Sequence, residues 1–275
     1  TFEKFAQKAE GIKRIGVLRA DVDNLGQTFV AGFAGKYATL SRTAALSRQL
    51  SIFFKYYIRS ILKNGEYHID GEKKLTERNA TIVYSGGDDV FIVGAWNEVI
   101  ELSIDLQEKF KKYTQGTLSI SSGIGIYECT YPIGAIANET GEMEAESKRM
   151  PEKDSVTLMD DGETHLINEL EICDGTYRWE ELYKSVLGEK YDVIQDFLGE
   201  SDERGMSFLY RMLELIRNQK EKINFARFVY LLSRLEPDKE GEKKEKYRKF
   251  SRKMYQWVQS EKDCRELKTA INLYA

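Results

Sequence analysis

The stretch Tyr84-Ser85-Gly86-Gly87-Asp88-Asp89 constrains this chain more than any other. Ala80-Thr81-Ile82-Val83 precedes it and Val90-Phe91-Ile92-Val93 follows, both apolar with β-branched residues. Two short apolar runs joined through a Gly-Gly turn specify a β-hairpin with its tip at the glycines. Adjacent carboxylates at such a tip repel each other and gain nothing from core packing. A divalent cation relieves that repulsion, and hard oxygen ligands suit Mg²⁺ or Mn²⁺. Without Cβ atoms, the glycines let the backbone come close to a bulky anion such as a triphosphate. The competing reading is a plain polar turn, because Gly and Asp are common turn residues.

The flanks place this hairpin in a larger unit. Residues 12–20 read as a buried strand ending at Asp21-Val22-Asp23, and Asn24-Leu25-Gly26-Gln27 turns into a helical region. Apolar positions from Tyr37 to Leu62 recur at helical spacing, which predicts one long helix ending near Asn64-Gly65. After a polar loop over 65–79 come the hairpin at 80–95, a helix at 97–113 and an alternating strand at 118–127. The order β-α-β-β-α-β is that of the ferredoxin-like split βαβ, with helices expected on one face of antiparallel strands. Strand one then lies beside a hairpin strand, so Asp21 and Asp23 come near Asp88 and Asp89. Four carboxylates in one small volume are costly without a cation. Asp21 and Asp23 stand at i and i+2, so a regular strand points both the same way while Val22 enters the core. For Asp23, an N-cap of the next helix is the alternative.

A helix over 135–150 and one more strand at 155–159, read as a sheet edge, complete this part. The Asp160-Asp161-Gly162 turn follows, and a domain boundary falls between 160 and 176, giving domains 1–165 and 166–275. Beyond it the texture is all helical, with candidates at 179–187, 190–198, 206–218, 223–235, 247–259 and 261–274. The stretch 239–253 holds eight basic and three acidic residues. It suits a phosphate backbone, but a solvated helical face is the preferred reading. The overall class is α+β followed by all-α.

Composition sets outer limits. The chain has 275 residues, 41% hydrophobic and 31% charged, enough for one large or two ordinary domains. A net charge of −4 gives no global nucleic-acid signature. Cys129, Cys173 and Cys264 are far apart, which argues against a zinc site or disulfide framework and fits a reducing cytoplasm. No run of about 18 apolar residues marks a membrane span. The start, Thr1-Phe2-Glu3-Lys4, has neither a signal peptide nor an initiator Met, and the chain reads as a piece of something longer.

Three motifs in order, Gly16-Val17-Leu18-Arg19-Ala20-Asp21-Val22-Asp23-Asn24-Leu25-Gly26, Leu46-Ser47-Arg48-Gln49-Leu50-Ser51-Ile52-Phe53-Phe54 and the Gly-Gly-Asp-Asp hairpin, carry a specific resemblance. The chain resembles the C-terminal part of the large, palm-containing subunit of type III-A (Csm) CRISPR effector complexes. There this stretch is the second palm domain followed by a helical domain. The resemblance implies a nucleotidyl cyclase that joins ATP into 3′-5′ cyclic oligoadenylates when the complex binds target RNA, as part of antiviral defence. It implies Asp21, the Val22 carbonyl and Asp89 as ligands of Mg²⁺ or Mn²⁺ with Asp88 beside them, and Asp21, Asp88 and Asp89 as the catalytic set. Ser85, Gly86 and Gly87, with Asn24, Leu25 and Gly26, would line the nucleotide. By likeness to diguanylate cyclases, Lys148 and Lys153 would contact phosphates.

The implied partners are the small helical subunit, the subunit capping the guide end, and guide and target RNA through the complex. The family also carries an HD nuclease, a first palm and a zinc-binding linker upstream, absent from this sequence. The chain by itself is therefore expected to bind ATP and metal weakly and to make little product. No histidine is placed as general base, since His68 lies in a polar loop and His165 near the domain boundary. The alternatives are a diguanylate-cyclase-like enzyme acting on GTP and a non-catalytic assembly module of the ribonucleoprotein.

Overall fold

A computed structural model of the chain describes all residues except 72–73, 161, 200–203, 218–221, 238–239 and 275, and only the backbone at 204–206 and 222–223. Asp161 of the expected turn, Asn218 at the end of an expected helix and Lys239 of the basic stretch lie outside the described residues. In chain order the first elements are α1 (Phe2–Lys8), β1 (Ile15–Val22), α2 (Leu25–Ala31) and α3 (Leu40–Ile52), which runs through a π-helical stretch (Phe53–Tyr57) into α4 (Ile58–Lys63). Then come β2 (Ala80–Ser85), β3 (Asp89–Ala95), α5 (Trp96–Tyr113), β4 (Ile120–Tyr127), α6 (Ile133–Ser147), β5 (Ser155–Leu158), β6 (Thr164–Ile167), β7 (Leu170–Cys173) and β8 (Thr176–Arg178). The rest is helical: α7 (Trp179–Glu181), a second π-helical stretch (Leu182–Tyr191), α8 (Asp192–Leu198), α9 (Arg204–Arg217), α10 (Lys222–Ser233), α11 (Glu242–Trp257) and α12 (Glu261–Tyr274). Two compact units result, Thr1–Trp179 and Glu180–Ala275.

The first unit is built on a six-stranded sheet of order β2-β3-β1-β4-β5-β8. Its first four strands have the ferredoxin-like order, and β1 lies beside the second hairpin strand, β3. Residues alternate between faces along each strand. On one face Ile15 and Val17 of β1 and Val93 of β3 cluster with Ala6 of α1 and Ile136 of α6. On the other, α5 comes so close to β1 that a Cβ on Gly16 would lie 2.8 Å from the Trp96 Cα. The rings of Phe53 and Phe54 meet Phe110 of α5 in that same layer, at 5.1 and 5.8 Å between centroids. Helices therefore cover both faces. The expectation of a single helical layer fails because α1 and α6, outside the βαββαβ core, bring their own apolar residues to the opposite face.

Two further expectations are corrected. β5 is no edge: it pairs with β4 in parallel and with β8 antiparallel. The span before the helices also holds strands that sequence reading passed over. β6 and β7 form a separate two-stranded sheet, joined at Asn168 and Glu169, both with positive φ (48° and 67°). Two such residues between short strands make a type I′-like turn, for which Asn is a favoured first residue.

The loop before β2 is tied to α5 by a buried ionic group. Arg78 binds Glu101, and its Nη2 donates to Asp105 at 2.9 Å. The Asp105 carboxylate also accepts the Glu66 and Tyr67 amides at 3.1 and 2.9 Å, and Glu101 accepts the Ile69 amide at 2.9 Å. His68 stands 3.6 Å from Glu101. One guanidinium thus serves two buried carboxylates.

In the helical unit, the ammonium of Lys190 is buried between Asp263 (2.8 Å) and Glu266 (2.5 Å), 5.2 Å from the Trp257 ring. Several cations of the basic stretch are engaged within the unit: Lys244 with Glu240, Arg248 with Glu240, Lys249 with Asp196 and Lys253 with Glu189. Those pairs fit the solvated-face reading better than a phosphate-binding one. Burial lifts the Cys264 thiol to about 12, so it stays protonated and unreactive at neutral pH.

The ionic group on α5 sets a pH dependence. Burial, working against Arg78, pushes Glu101 up to about 7. A carboxyl with a folded value above its unfolded one makes the folded state bind more protons in the interval between the two. Its contribution is therefore full below about pH 4.5 and is lost as pH rises toward 7. Urea unfolding across that window is expected to show this decline in the parent chain and a flatter profile in Glu101→Gln.

Candidate functional site

The sheet register carries the site. Asp21, next to last in β1, and Asp89, the first residue of β3, are direct cross-strand partners. Antiparallel partners have Cα atoms roughly 4.5–5.5 Å apart and project side chains to one face. The hairpin loop between β2 and β3, Gly86-Gly87-Asp88, is closed by the Gly86 amide donating to the Asp89 carbonyl at 2.8 Å. It is stitched to β1 by the Val22 amide donating to the Asp88 carbonyl at 3.2 Å. Burial pushes the Asp88 carboxyl above its ordinary range, helped by the charges of Asp21 and Asp89 and opposed by Lys148. Asp21, Asp88, Asp89, the backbone of Val22 and Lys148 are thus gathered in one place.

Lys148 arrives as the C-cap of α6. Its ammonium binds Asp21 and also Glu144 at 2.7 Å, while Glu144 takes a second cation, the Arg19 guanidinium, at 2.9 Å. α6 can lie this close because Gly123 has no side chain: a Cβ there would be 2.5 Å from the Thr140 carbonyl oxygen. Burial alone would lower the Lys148 ammonium, but its hydrogen bonds to Asp21 and Glu144 hold it above its usual range. Glu144 and Arg19 were not among the residues singled out from sequence. The Glu144–Lys148 spacing of four on a helix was the available signal.

Asp23 does not join this group as expected, nor does it cap a helix. Regular strand ends at Val22, so the i, i+2 alternation stops there. Asp23 is 2% exposed, and its Oδ2 accepts from Ser119 (2.7 Å), Ser121 (3.0 Å) and the Asp154 amide (3.1 Å). Asn24, in the left-handed region with φ 53°, occupies the cap position of the seven-residue α2. Asp23 anchors a strained loop: Glu152, Lys153 and Asp154 all have positive φ (68°, 55° and 49°). Such backbone costs about 1–2 kcal/mol per residue for L side chains. It delivers Lys153, which donates to Asn24 Oδ1 at 2.8 Å.

The remaining nominated residues divide. The Ser85 hydroxyl donates to the Phe54 carbonyl at 2.6 Å, on the α5 side of the sheet, and is brought to the helical layer instead of to Asp21 and Asp89. A Cβ on Gly86 would meet the movable ends of two side chains, Asp89 Oδ1 and the Tyr84 hydroxyl, the latter at 2.6 Å. Gly87 has only Ser51 Oγ nearby, at 3.9 Å, and Gly26 has open space. Leu25 and Gly26 open α2 next to Asn24. His68 and His165 are held elsewhere, His165 by Asp174 at 3.2 Å.

Asp21, Asp88 and Asp89 offer hard oxygen donors whose mutual repulsion a cation would relieve, and this donor set fits Mg²⁺ or Mn²⁺. Among the described residues, no three His, Cys, Asp or Glu side chains are gathered tightly enough to hold an ion as they stand. Asp21 is instead paired with the Lys148 ammonium.

A βαββαβ sheet that carries an acidic pair on adjacent strands, one of them opening from a Gly-Gly-Asp-Asp loop, defines a palm domain. Residues 14–157 match the family described as Cas10/Cmr2, second palm domain, and residues 195–275 match the second helical domain of the Cmr2 subunit of the CRISPR RNA silencing complex. The chain belongs to the Cas10/Cmr2 family. It is 43% identical, over 99% of its length, to the CRISPR system single-strand-specific deoxyribonuclease Cas10/Csm1 (subtype III-A) of Mycobacterium tuberculosis, covering 33% of that protein. It is 38% identical, over 96%, to the protein of that name from Streptococcus thermophilus, covering 32%. A crystal structure of the Csm1–Csm4 cassette in complex with pppApApA matches with a TM-score of 0.70 and 26% identity, over 99% of this chain and 38% of the other. The chain spans about a third of the length of the curated relatives it matches. Among the described residues, no helix is long and apolar enough to cross a membrane.

The two aspartates at the end of β1 are expected to respond differently to truncation. Asp23→Ala removes a buried acceptor of three hydrogen bonds and releases the strained loop, at a cost of roughly 3 kcal/mol. Asp21→Ala breaks a partly exposed ion pair at about 1 kcal/mol or less. Chemical denaturation of the two variants checks this ordering.

Proposed function

We propose that this chain is the nucleotide-converting palm of a type III-A CRISPR effector, in which ATP is joined into 3′-5′ cyclic oligoadenylates for antiviral signalling. The observation that carries this reading is the pairing of Asp21 with Asp89 across β1 and β3, with Asp88 beside them. The family membership and the oligoadenylate carried by a structural relative support it. Asp21, Asp89 and the Val22 carbonyl would hold Mg²⁺ or Mn²⁺, with Asp88 adjacent. When bound, such ions lower the pKa of a ribose 3′-hydroxyl and offset charge on departing pyrophosphate.

The chain's own residues supply the rest. Asp21 becomes free to act as a ligand when Lys148 withdraws from it, and the released ammonium then faces the phosphates. Lys153, delivered by the loop at 152–154, adds a second positive charge beside Asn24. Gly86 and Gly87 would line the triphosphate, and Gly87 has no side chain to keep it from the loop backbone. With both histidines engaged elsewhere, no imidazole is assigned as base. Csm4 and the other Csm subunits, together with guide and target RNA, are the proposed partners, and the cytoplasm the proposed location. A GTP-specific cyclase and a purely structural assembly role are the competing readings.

Labelled ATP and GTP supplied to the assembled effector, with products separated by thin-layer chromatography, distinguish these readings. Oligoadenylate from ATP is expected, with GTP left unconverted. Replacing Asp88 and Asp89 together by Ala is expected to cut product at least about 100-fold, the equivalent of about 2.7 kcal/mol of lost charge stabilisation, while the complex still assembles. Product from GTP, or none from either nucleotide, overturns the proposal. The 275-residue chain alone is expected to form little product. A second outcome concerns Lys148: Lys148→Met is expected to tighten Mn²⁺ binding in the absence of nucleotide and to weaken ATP binding, both read by titration.

A further inference from the structure

The hairpin that presents Asp89 contains an irregularity. Ile82 of β2 pairs with Ile92, but the next residue to pair with β3 is Tyr84, opposite Phe91, so Val83 is an extra residue in the strand. In a regular ladder Val83 would face Phe91 and Tyr84 would face Val90, on the side of the sheet covered by α5. The bulge moves Tyr84 by one position and hence to the opposite face. That face also carries Phe91, Arg19, Asp89 and Asp21, which alternate in register along β1 and β3. Bulges re-aim side chains in this way beside functional sites.

Tyr84 is left 54% exposed, with no core to fill. Its hydroxyl and Asp89 Oδ1 flank the point where a Gly86 side chain would stand, which places the two groups side by side. The bulge and this juxtaposition place a phenol hydroxyl against a carboxylate that has a like-charged partner across the strand.

We propose that Tyr84 is a positioning residue for Asp89: its phenol donates to one carboxylate oxygen and fixes the other toward β1, where it meets a cation shared with Asp21. This role rests on Asp21 and Asp89 acting as cation ligands. It assigns to Tyr84 an orienting function and no contact with the reacting atoms.

Two measurements on the intact chain test it. Mn²⁺ binding is followed by the loss of the free-ion electron paramagnetic resonance signal. Tyr84→Phe, which keeps the ring and removes the hydroxyl, is expected to weaken Mn²⁺ binding roughly 10-fold, the usual loss when a ligand loses its hydrogen-bonded support, with no change in the thermal unfolding midpoint. Independently, the ¹³Cζ resonance of Tyr84, identified by its disappearance in Tyr84→Phe, is expected to shift in Asp89→Asn without any metal. Equal Mn²⁺ affinity in Tyr84→Phe and the parent overturns the positioning role while leaving the palm reading intact, and an unmoved resonance removes the contact itself. A parent chain that binds no Mn²⁺ overturns the ligand reading and the Tyr84 role with it.

Discussion

The functional arrangement depends on the antiparallel pairing of β1 with β3. Seven consecutive partners, from Ile15 opposite Ala95 to Asp21 opposite Asp89, set this register. Buried apolar side chains pin it on both faces: Val17 and Val93 on the α1 and α6 side, Leu18 and Ile92 on the α5 side. A slip of one residue would turn each of them to the wrong face. The apolar strands therefore spend hydrophobic free energy holding two like charges side by side. Left to electrostatics alone, Asp21 and Asp89 would separate.

The chain relieves that repulsion internally. Lys148 reaches Asp21 from the end of α6 and is itself oriented by Glu144, which Arg19 binds from β1. Charges alternate along Arg19, Glu144, Lys148 and Asp21. Asp88 and Asp89 receive less relief, and the raised Asp88 carboxyl shows the imbalance. The site is thus stable as folded yet retains excess negative potential at the hairpin loop, the condition under which a divalent cation gains most from entering. Behind it, Asp23 spends its carboxylate on Ser119, Ser121 and Asp154 and keeps the loop at 152–154 in a left-handed conformation. One aspartate of the Asp-Val-Asp sequence is presented to the site, and the other builds the wall behind it.

What the amino-acid sequence determined by itself is the set of elements and their order. Apolar runs on either side of Gly86-Gly87 specify the hairpin, the spacing of Val99, Ile100, Ile104 and Phe110 specifies α5, and the order of elements specifies the ferredoxin-like core. The approach of Asp21 to Asp89 follows from that order, because strand one of such a core must neighbour a hairpin strand. These features are local or topological, and local periodicity encodes them.

Only the tertiary structure decided the rest, because each remaining feature depends on which partner a group finds across space. Asp23 could cap a helix or join the acids until Ser119 and Ser121, nearly a hundred residues on, claimed its Oδ2. The Ser85 hydroxyl finds the Phe54 carbonyl, thirty-one residues earlier, which no local pattern specifies. The short β6, β7 and β8 strands have too few residues to show a period of two, and β8 is stabilised by β5 rather than by its own pattern. The bulge at Val83 leaves no mark in composition, since one extra β-branched residue in an apolar run reads like any other. Yet it selects the face on which Tyr84 meets Asp89, for the pleat of a strand alternates strictly and one inserted residue inverts all that follows.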